Sequence, residues 1–160
     1  MGAGKSTIGR LLAARLGLAC VDLDAVIVKK AGKVIPRIFE EDGECVFRAL
    51  EAEALQTLCA DGVAKVLATG GGAIMAAPNR ECMKQAGEVV WLDAPPEVLA
   101  KRIAGDSNRP LLNGVDALLK AKQLDLQRRK YYEMSSDFRV DTSVMSATQA
   151  VDAIIAFIEK

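Results

Sequence analysis

The chain has 160 residues, 51% apolar and 26% charged, which predicts one soluble globular domain, 1–160, around a single core. Lysine and arginine balance aspartate and glutamate at 21 each, so nucleic acid or another polyanion is not implied as a partner. No apolar run approaches the ~18 to 20 residues of a membrane span and the N-terminus lacks a secretory leader's order, so no membrane partner is expected and the cytoplasm is the expected compartment.

The chain opens on Gly2-Ala3-Gly4-Lys5-Ser6-Thr7, the second half of the phosphate-binding loop G-x-x-x-x-G-K-[ST]. Such a loop wraps backbone N–H groups around nucleotide phosphates, rests a lysine ammonium on them and gives Mg²⁺ a hydroxyl ligand. The opening glycine of the pattern would fall two residues before Met1, and the buried strand that delivers the loop further upstream. Apolar Ile8, Leu11, Leu12 and Leu16 then predict a helix over Lys5–Leu16 with Gly17 as its C-terminal cap. Residues 18–23 and 64–69 read as buried strands, and 88–93 and 138–142 as a third and a fourth. Helical sequence follows the last two, with Pro95-Pro96 and Ser146 near the starts. Further helices are expected at about 43–60, 115–134 and 147–159, and a mobile loop holding Arg109 at 105–114. Strands alternating with helices predict a parallel α/β sheet.

Cys20, Cys45, Cys59 and Cys82 show no metal-type or paired spacing, which predicts reduced thiols serving as small core residues. Histidine is absent, so carboxylates must do any proton work. Asp22 and Asp24 stand at the end of a predicted strand, where one can serve Mg²⁺ and the other a hydroxyl. A cap for a helix beginning at Ala25 is the competing role for Asp24, worth ~1 kcal/mol. Gly70-Gly71-Gly72 after a strand suits either a close backbone approach to a ligand or a flexible loop. Arg48 has Glu44 and Glu51 at helical spacing, so surface ion pairing competes with function there. Arg109, Arg128 and Arg129 carry little information one at a time.

Together these landmarks resemble the shikimate kinase family. The order runs G-A-G-K-S-T-I-G-R, Asp22-Leu23-Asp24, Ile38-Phe39, Asp42-Gly43-Glu44, Phe47-Arg48 and Glu51. It continues through Thr69-Gly70-Gly71-Gly72, Arg109-Pro110-Leu111-Leu112, Arg128 with Tyr132, and Val140-Asp141-Thr142. The resemblance implies transfer of the ATP γ-phosphoryl group to the 3-hydroxyl of shikimate, with Mg²⁺, by a monomeric kinase whose substrate region spans about 24–60 and whose lid spans about 105–115. On it, Gly2, Ala3, Gly4, Lys5, Ser6 and Thr7 would hold the phosphates, with Ser6 and Asp22 serving the metal. Asp24 would act as base or orienter on the substrate hydroxyl. Arg48 and Arg128 would clamp the shikimate carboxylate beside Gly70, Gly71 and Gly72, a task suited to planar guanidinium forks. Arg109 would stabilise the transferring phosphoryl group, and Arg102 the adenine or phosphate side.

Two positions depart from the family pattern. Ile27-Val28 stands where an isoleucine and a glutamate are usual, and Lys130 where a proline is usual. Arg128 rather than Arg129 is chosen for the substrate by its spacing to Tyr132. The alternatives are a non-catalytic relative with impaired ATP binding, or another small-molecule kinase such as gluconate kinase. The implied fold is a three-layer phosphate-loop kinase with strand order 2-3-1-4-5, its central first strand missing from this chain. Such a strand contributes about 7 to 15 kcal/mol through buried apolar side chains, as much as the ~5 to 15 kcal/mol of a whole domain. The chain alone is therefore expected to be unstable or inactive, and the biological protein to start upstream.

Overall fold

The computed structural model describes residues 2–103 and 116–160; Arg109, the expected loop 105–114 and the whole expected lid, 105–115, lie outside the described residues. Helix α1 (Lys5–Leu16) ends at Gly17, whose left-handed backbone (φ 66°) returns N–H groups to the carbonyls of the last turn. Strand β1 (Ala19–Asp22) runs straight into α2 (Leu23–Ala31). The helix begins earlier than expected, and its cap is Asp22: the Asp22 carboxylate accepts the Asp24 N–H at 2.9 Å. Asp24 itself lies in the first turn, where the helix dipole also favours a negative charge.

Helices α3 (Ile35–Glu41) and α4 (Glu44–Ala60) lead to β2 (Lys65–Ala68), and a short 3-10 turn at Ala73–Met75 follows the glycine run. The remaining elements are α5 (Ala77–Ala86), β3 (Val90–Asp93), α6 (Pro96–Ile103), α7 (Ala117–Ser135), β4 (Phe138–Asp141) and α8 (Ala147–Ile158). Helices α3 and α5 have no counterpart in the sequence reading. Both are short, neither has a side-chain cap, and each carries a proline in its first turn. Ser146, by contrast, forms a full capping box with Gln149 at the start of α8. Among the described residues no helix is long and apolar enough to cross a membrane.

Among the described residues all strand pairing is parallel, with β1 against β2 (Ala19 opposite Lys65) and β3 against β4 (Val90 opposite Phe138). The four strands form two separate pairs rather than one sheet. These are the pairings that the order 2-3-1-4-5 leaves on either side of its central strand.

Among the described residues, two apolar clusters stand where a single core is expected. One joins Ile8 and Leu12 of α1 to Val140 of β4 and to Val151 and Ile154 of α8. The other joins Leu23 and Ile27 of α2, Ile38 of α3, and Phe47 and Leu55 of α4. Burying side chains of this size is worth roughly 1.5–3 kcal/mol each.

The cysteines are free thiols, but none is a buried core residue. Cys20 and Cys45 are exposed, while Cys59 and Cys82 are half-buried. Cys59 lies in the last turn of α4 and Cys82 on α5; burial, and then the hydrogen bond to Cys82, push the Cys59 thiol up to about 12. Since the thiolate is the reactive form, Cys59 is expected to resist iodoacetamide at mildly alkaline pH while Cys20 and Cys45 are alkylated first. Peptide mapping after timed labelling checks this order.

Candidate active site

The glycine run leaves the end of β2 and threads between α2, α4 and α7, and each glycine abuts a different polar side chain. A Cβ on Gly70 would lie 3.2 Å from Asp24 Oδ1 and 3.3 Å from Glu51 Oε1. On Gly71 it would lie 3.0 Å from Arg128 Nη1 and 3.2 Å from the Tyr132 hydroxyl oxygen, and on Gly72 2.3 Å from Arg48 Nη1. The backbone thus comes close enough to gather two carboxylates and two guanidinium groups around three residues, which a side chain at any of the three would disturb. The close approach is to the chain's own side chains, which accounts for the run without a flexible loop.

Arg48 on α4 donates Nη1–H to Glu51 Oε2 at 2.7 Å and approaches Glu44 at 3.3 Å. The surface-pair reading suits Glu44 alone, because Glu51 is 1% exposed. Burial, opposed by the hydrogen bond and charge of Arg48, holds the Glu51 carboxyl above its ordinary value of 4.5. A carboxyl raised on folding contributes stability in full below about 4.5, and that contribution is lost as pH rises through the raised value. Glu51→Gln has no such loss. Its unfolding free energy relative to the parent is therefore expected to improve between about pH 4 and pH 7, measured by urea denaturation at both.

The adjacent arginines of α7 point apart, as neighbours on a helix do. Arg128 faces Gly71. Arg129 turns to β3, reaching Asp125 at 2.9 Å and Asp93 at 3.3 Å, with its guanidinium carbon 5.1 Å from the centre of the Trp91 ring. Arg139 on β4 binds the same Asp93 at 2.6 Å and also lies against Trp91. The Tyr132 hydroxyl donates to the Gly71 carbonyl at 2.8 Å, which ties α7 to the glycine run.

At the other side of the site, Gly4 caps α1 with φ 85° and no side-chain cap, so the backbone N–H groups of the first turn are left to a ligand or water. Lys5 lines the same cavity as Gly70, Gly71 and Arg128. Ser6 and Thr7 are exposed. Arg102 donates to the Gly2 carbonyl at 3.2 Å and to Thr142 Oγ1 and O at 3.0 and 2.6 Å, so its guanidinium anchors the start of the loop to the end of β4.

For a metal, the described residues hold no cluster of three or more acidic or thiol ligands. The Ser6 hydroxyl and Asp22 carboxylate are exposed oxygen donors. That sparse oxygen set fits Mg²⁺, which keeps most of its water, better than a caged ion.

Sequence reasoning brought Asp24, Arg48, Arg128 and the glycines forward, and the structure gathers them. It undervalued Glu51 and Tyr132. The i,i+3 spacing of Arg48 and Glu51 and the i,i+4 spacing of Arg128 and Tyr132 were the available signals, but spacing alone does not separate a buried partner from a solvated one.

The family model described as shikimate kinase matches residues 1–159. A shikimate kinase of Geobacter sulfurreducens is 45% identical over all of this chain and 87% of its own length. One of Symbiobacterium thermophilum is 41% identical over 97% of this chain and 90% of its own. A solved shikimate kinase from Acinetobacter baumannii in complex with shikimate is similar with a TM-score of 0.92 and 41% identity, covering 99% of this chain and 88% of that one. The Aquifex aeolicus enzyme follows at 0.85 and 36% identity, covering 99% and 92%.

Proposed function

The chain belongs to the shikimate kinase family, and from that premise we propose that it transfers the γ-phosphoryl group of ATP to the 3-hydroxyl of shikimate, giving shikimate 3-phosphate and ADP. The observation that carries this reading is the glycine run against Asp24, Arg128 and Arg48 in turn. It offers one carboxylate for a hydroxyl and two guanidinium groups for a substrate carboxylate.

In this mechanism Arg48 and Arg128 hold the shikimate carboxylate through charge-assisted hydrogen bonds, and Glu51 and Tyr132 fix the parts they pack against. Asp24 accepts the 3-hydroxyl proton and orients the oxygen for in-line attack. Gly2, Ala3, Gly4, Ser6 and Thr7 form the phosphate cradle, and Lys5 binds the β- and γ-phosphates. Ser6 directly, and Asp22 through water, would hold Mg²⁺, which when bound neutralises phosphate charge. Arg102 supports the nucleotide side by holding Gly2 in place. Arg109, by resemblance, stabilises the transferring group. The same reading makes the protein a monomeric cytoplasmic enzyme.

A coupled assay of ADP release, run with ATP and Mg²⁺ with and without shikimate, tests the reading. Shikimate-dependent ADP release, with shikimate 3-phosphate identified by mass spectrometry, is the expected result. Calorimetric binding of shikimate with neither ATP binding nor turnover would overturn it in favour of a non-catalytic relative, and turnover with gluconate instead would move the reaction to another sugar-like alcohol.

A further inference from the structure

Asp93 closes β3 with 6% of its surface exposed, and its carboxylate takes no part in the transfer itself. Two guanidinium groups meet it there. Arg139 of the neighbouring strand β4 donates to Oδ2 at 2.6 and 3.0 Å, and Arg129 of α7 donates to Oδ1 at 3.3 Å and to Oδ2 at 3.5 Å. Arg129 is shared with Asp125, one turn back on its own helix, at 2.9 and 3.0 Å. Both guanidinium carbons also lie over the buried Trp91 ring, at 5.1 Å for Arg129 and 4.9 Å for Arg139.

The two partners of Arg129 do different things. A pair within one helix leaves the helix free to turn about its axis, whereas a pair between α7 and β3 does not. Other restraints on that turn are few. Of the 19 residues of α7 only Ala121 and Ser135 are buried, so little apolar packing decides which way the helix faces. Tyr132 supplies a second hold, donating to the Gly71 carbonyl at 2.8 Å and stacking on Trp91. It lies ~60° round the axis from Arg129, and two holds in different directions fix a turn that either alone leaves free to pivot. Arg128 stands about 100° from Arg129 on the same helix. At the ~5–6 Å radius of a helix with its side chains, a turn of about 10° moves a side chain by about 1 Å. A misplacement of that size is enough to cost up to ~10²-fold.

We propose that Arg129, through its bond to Asp93, is a positioning residue for the substrate: it sets the turn of α7 that leaves Arg128 against Gly71. This role rests on the reading of Arg128 as a clamp on the shikimate carboxylate.

The variants Arg129→Gln, Arg129→Lys and Arg139→Gln test it by steady-state kinetics, thermal melting and amide hydrogen exchange without ligands. Arg129→Gln is expected to raise the KM for shikimate about 10-fold, with kcat and the KM for ATP within about twofold, and to speed exchange in α7. Arg139→Gln takes the shorter bonds from the same carboxylate without touching α7, so it is expected to lower the Tm while the KM stays within about twofold. In Arg129→Lys a single ammonium cannot bridge two carboxylates as the planar fork does, and the KM is expected to rise only about threefold. Adding Asp93→Asn to Arg129→Gln is expected to raise the KM no further, because both remove one link. An unchanged KM in Arg129→Gln would overturn the proposal, and so would an equal rise in Arg139→Gln, which would trace the effect to general loosening. The kinase reading fails separately, through a parent that does not turn shikimate over. In that case equal exchange of α7 in Arg129→Gln and the parent would still overturn the role given to Arg129.

Discussion

Lys5→Met is expected to lower kcat for shikimate phosphorylation by on the order of 10²–10³ while leaving the KM for shikimate within about twofold. Lys5 opens α1 directly after the Gly4 cap and borders the cavity that also holds Gly70, Gly71 and Arg128. A compact ammonium there adds its charge to backbone N–H groups and the positive end of the helix dipole. Phosphoryl transfer depends on positioning and electrostatics, and charge builds on the phosphate oxygens as the reaction proceeds, so the loss falls on the chemical step. Methionine keeps the length and apolar stem of the side chain, and the melting temperature is expected to stay close to that of the parent. Steady-state kinetics with shikimate and ATP varied in turn check the split. An unchanged kcat would remove Lys5 from the mechanism.

Gly72→Ala is expected to raise the KM for shikimate about 10- to 100-fold and to lower stability as well, since buried Glu51 loses its Arg48 partner. The added Cβ would sit 2.3 Å from Arg48 Nη1, 2.6 Å from Nη2 and 2.7 Å from the guanidinium carbon. No real contact is that short, so something must move, and what moves is the far end of a flexible side chain rather than backbone. Arg48 swings away and gives up its 2.7 Å bond to Glu51 along with its aim at the substrate. Losing a hydrogen bond to a charged group is worth about 1.5–3 kcal/mol, which is the fold-change expected. Gly87→Ala serves as a control, because a Cβ there meets nothing within 4 Å. Equal KM values for the two variants would show that the position of Arg48 does not matter to substrate binding.

The legible part of this site was the part written in residue type and order. Gly4-Lys5-Ser6 ahead of an amphipathic helix points to phosphate binding on its own, and three glycines after an apolar run to either a close backbone approach or a flexible loop. The arginines did not. Arg128 and Arg129 are chemically identical neighbours, and only their surroundings separate them: Asp125, Asp93 and Trp91 hold Arg129, and Gly71 meets Arg128. Glu51 reads as one more helical ion pair until its burial is known. Asp22 and Asp24 looked alike at a strand end, but the chain turns helical at Leu23, so one caps and the other faces the glycines. In the fold, α1 and α8 were legible from the helical spacing of their apolar residues, and the strands as short apolar runs between helical segments. Helices α3 and α5 were not, because they are held by neighbours and not by pattern. The division into two strand pairs follows from the implied order 2-3-1-4-5 without its central strand, and not from periodicity.

The two apolar clusters differ in how far apart in the chain their members lie, and that difference orders the assembly of the molecule. The cluster around Leu23, Ile38 and Leu55 draws on α2, α3 and α4, consecutive helices separated by short connections. The cluster around Ile8, Val140 and Ile154 joins the first helix to the last strand and helix. Closing so long a loop costs more entropy before any contact rewards it. The α2–α4 unit therefore forms first and opens last, and the joined termini are the cooperative unit that loosens first, which amide hydrogen exchange would record as faster exchange in α1 and α8 than in α4.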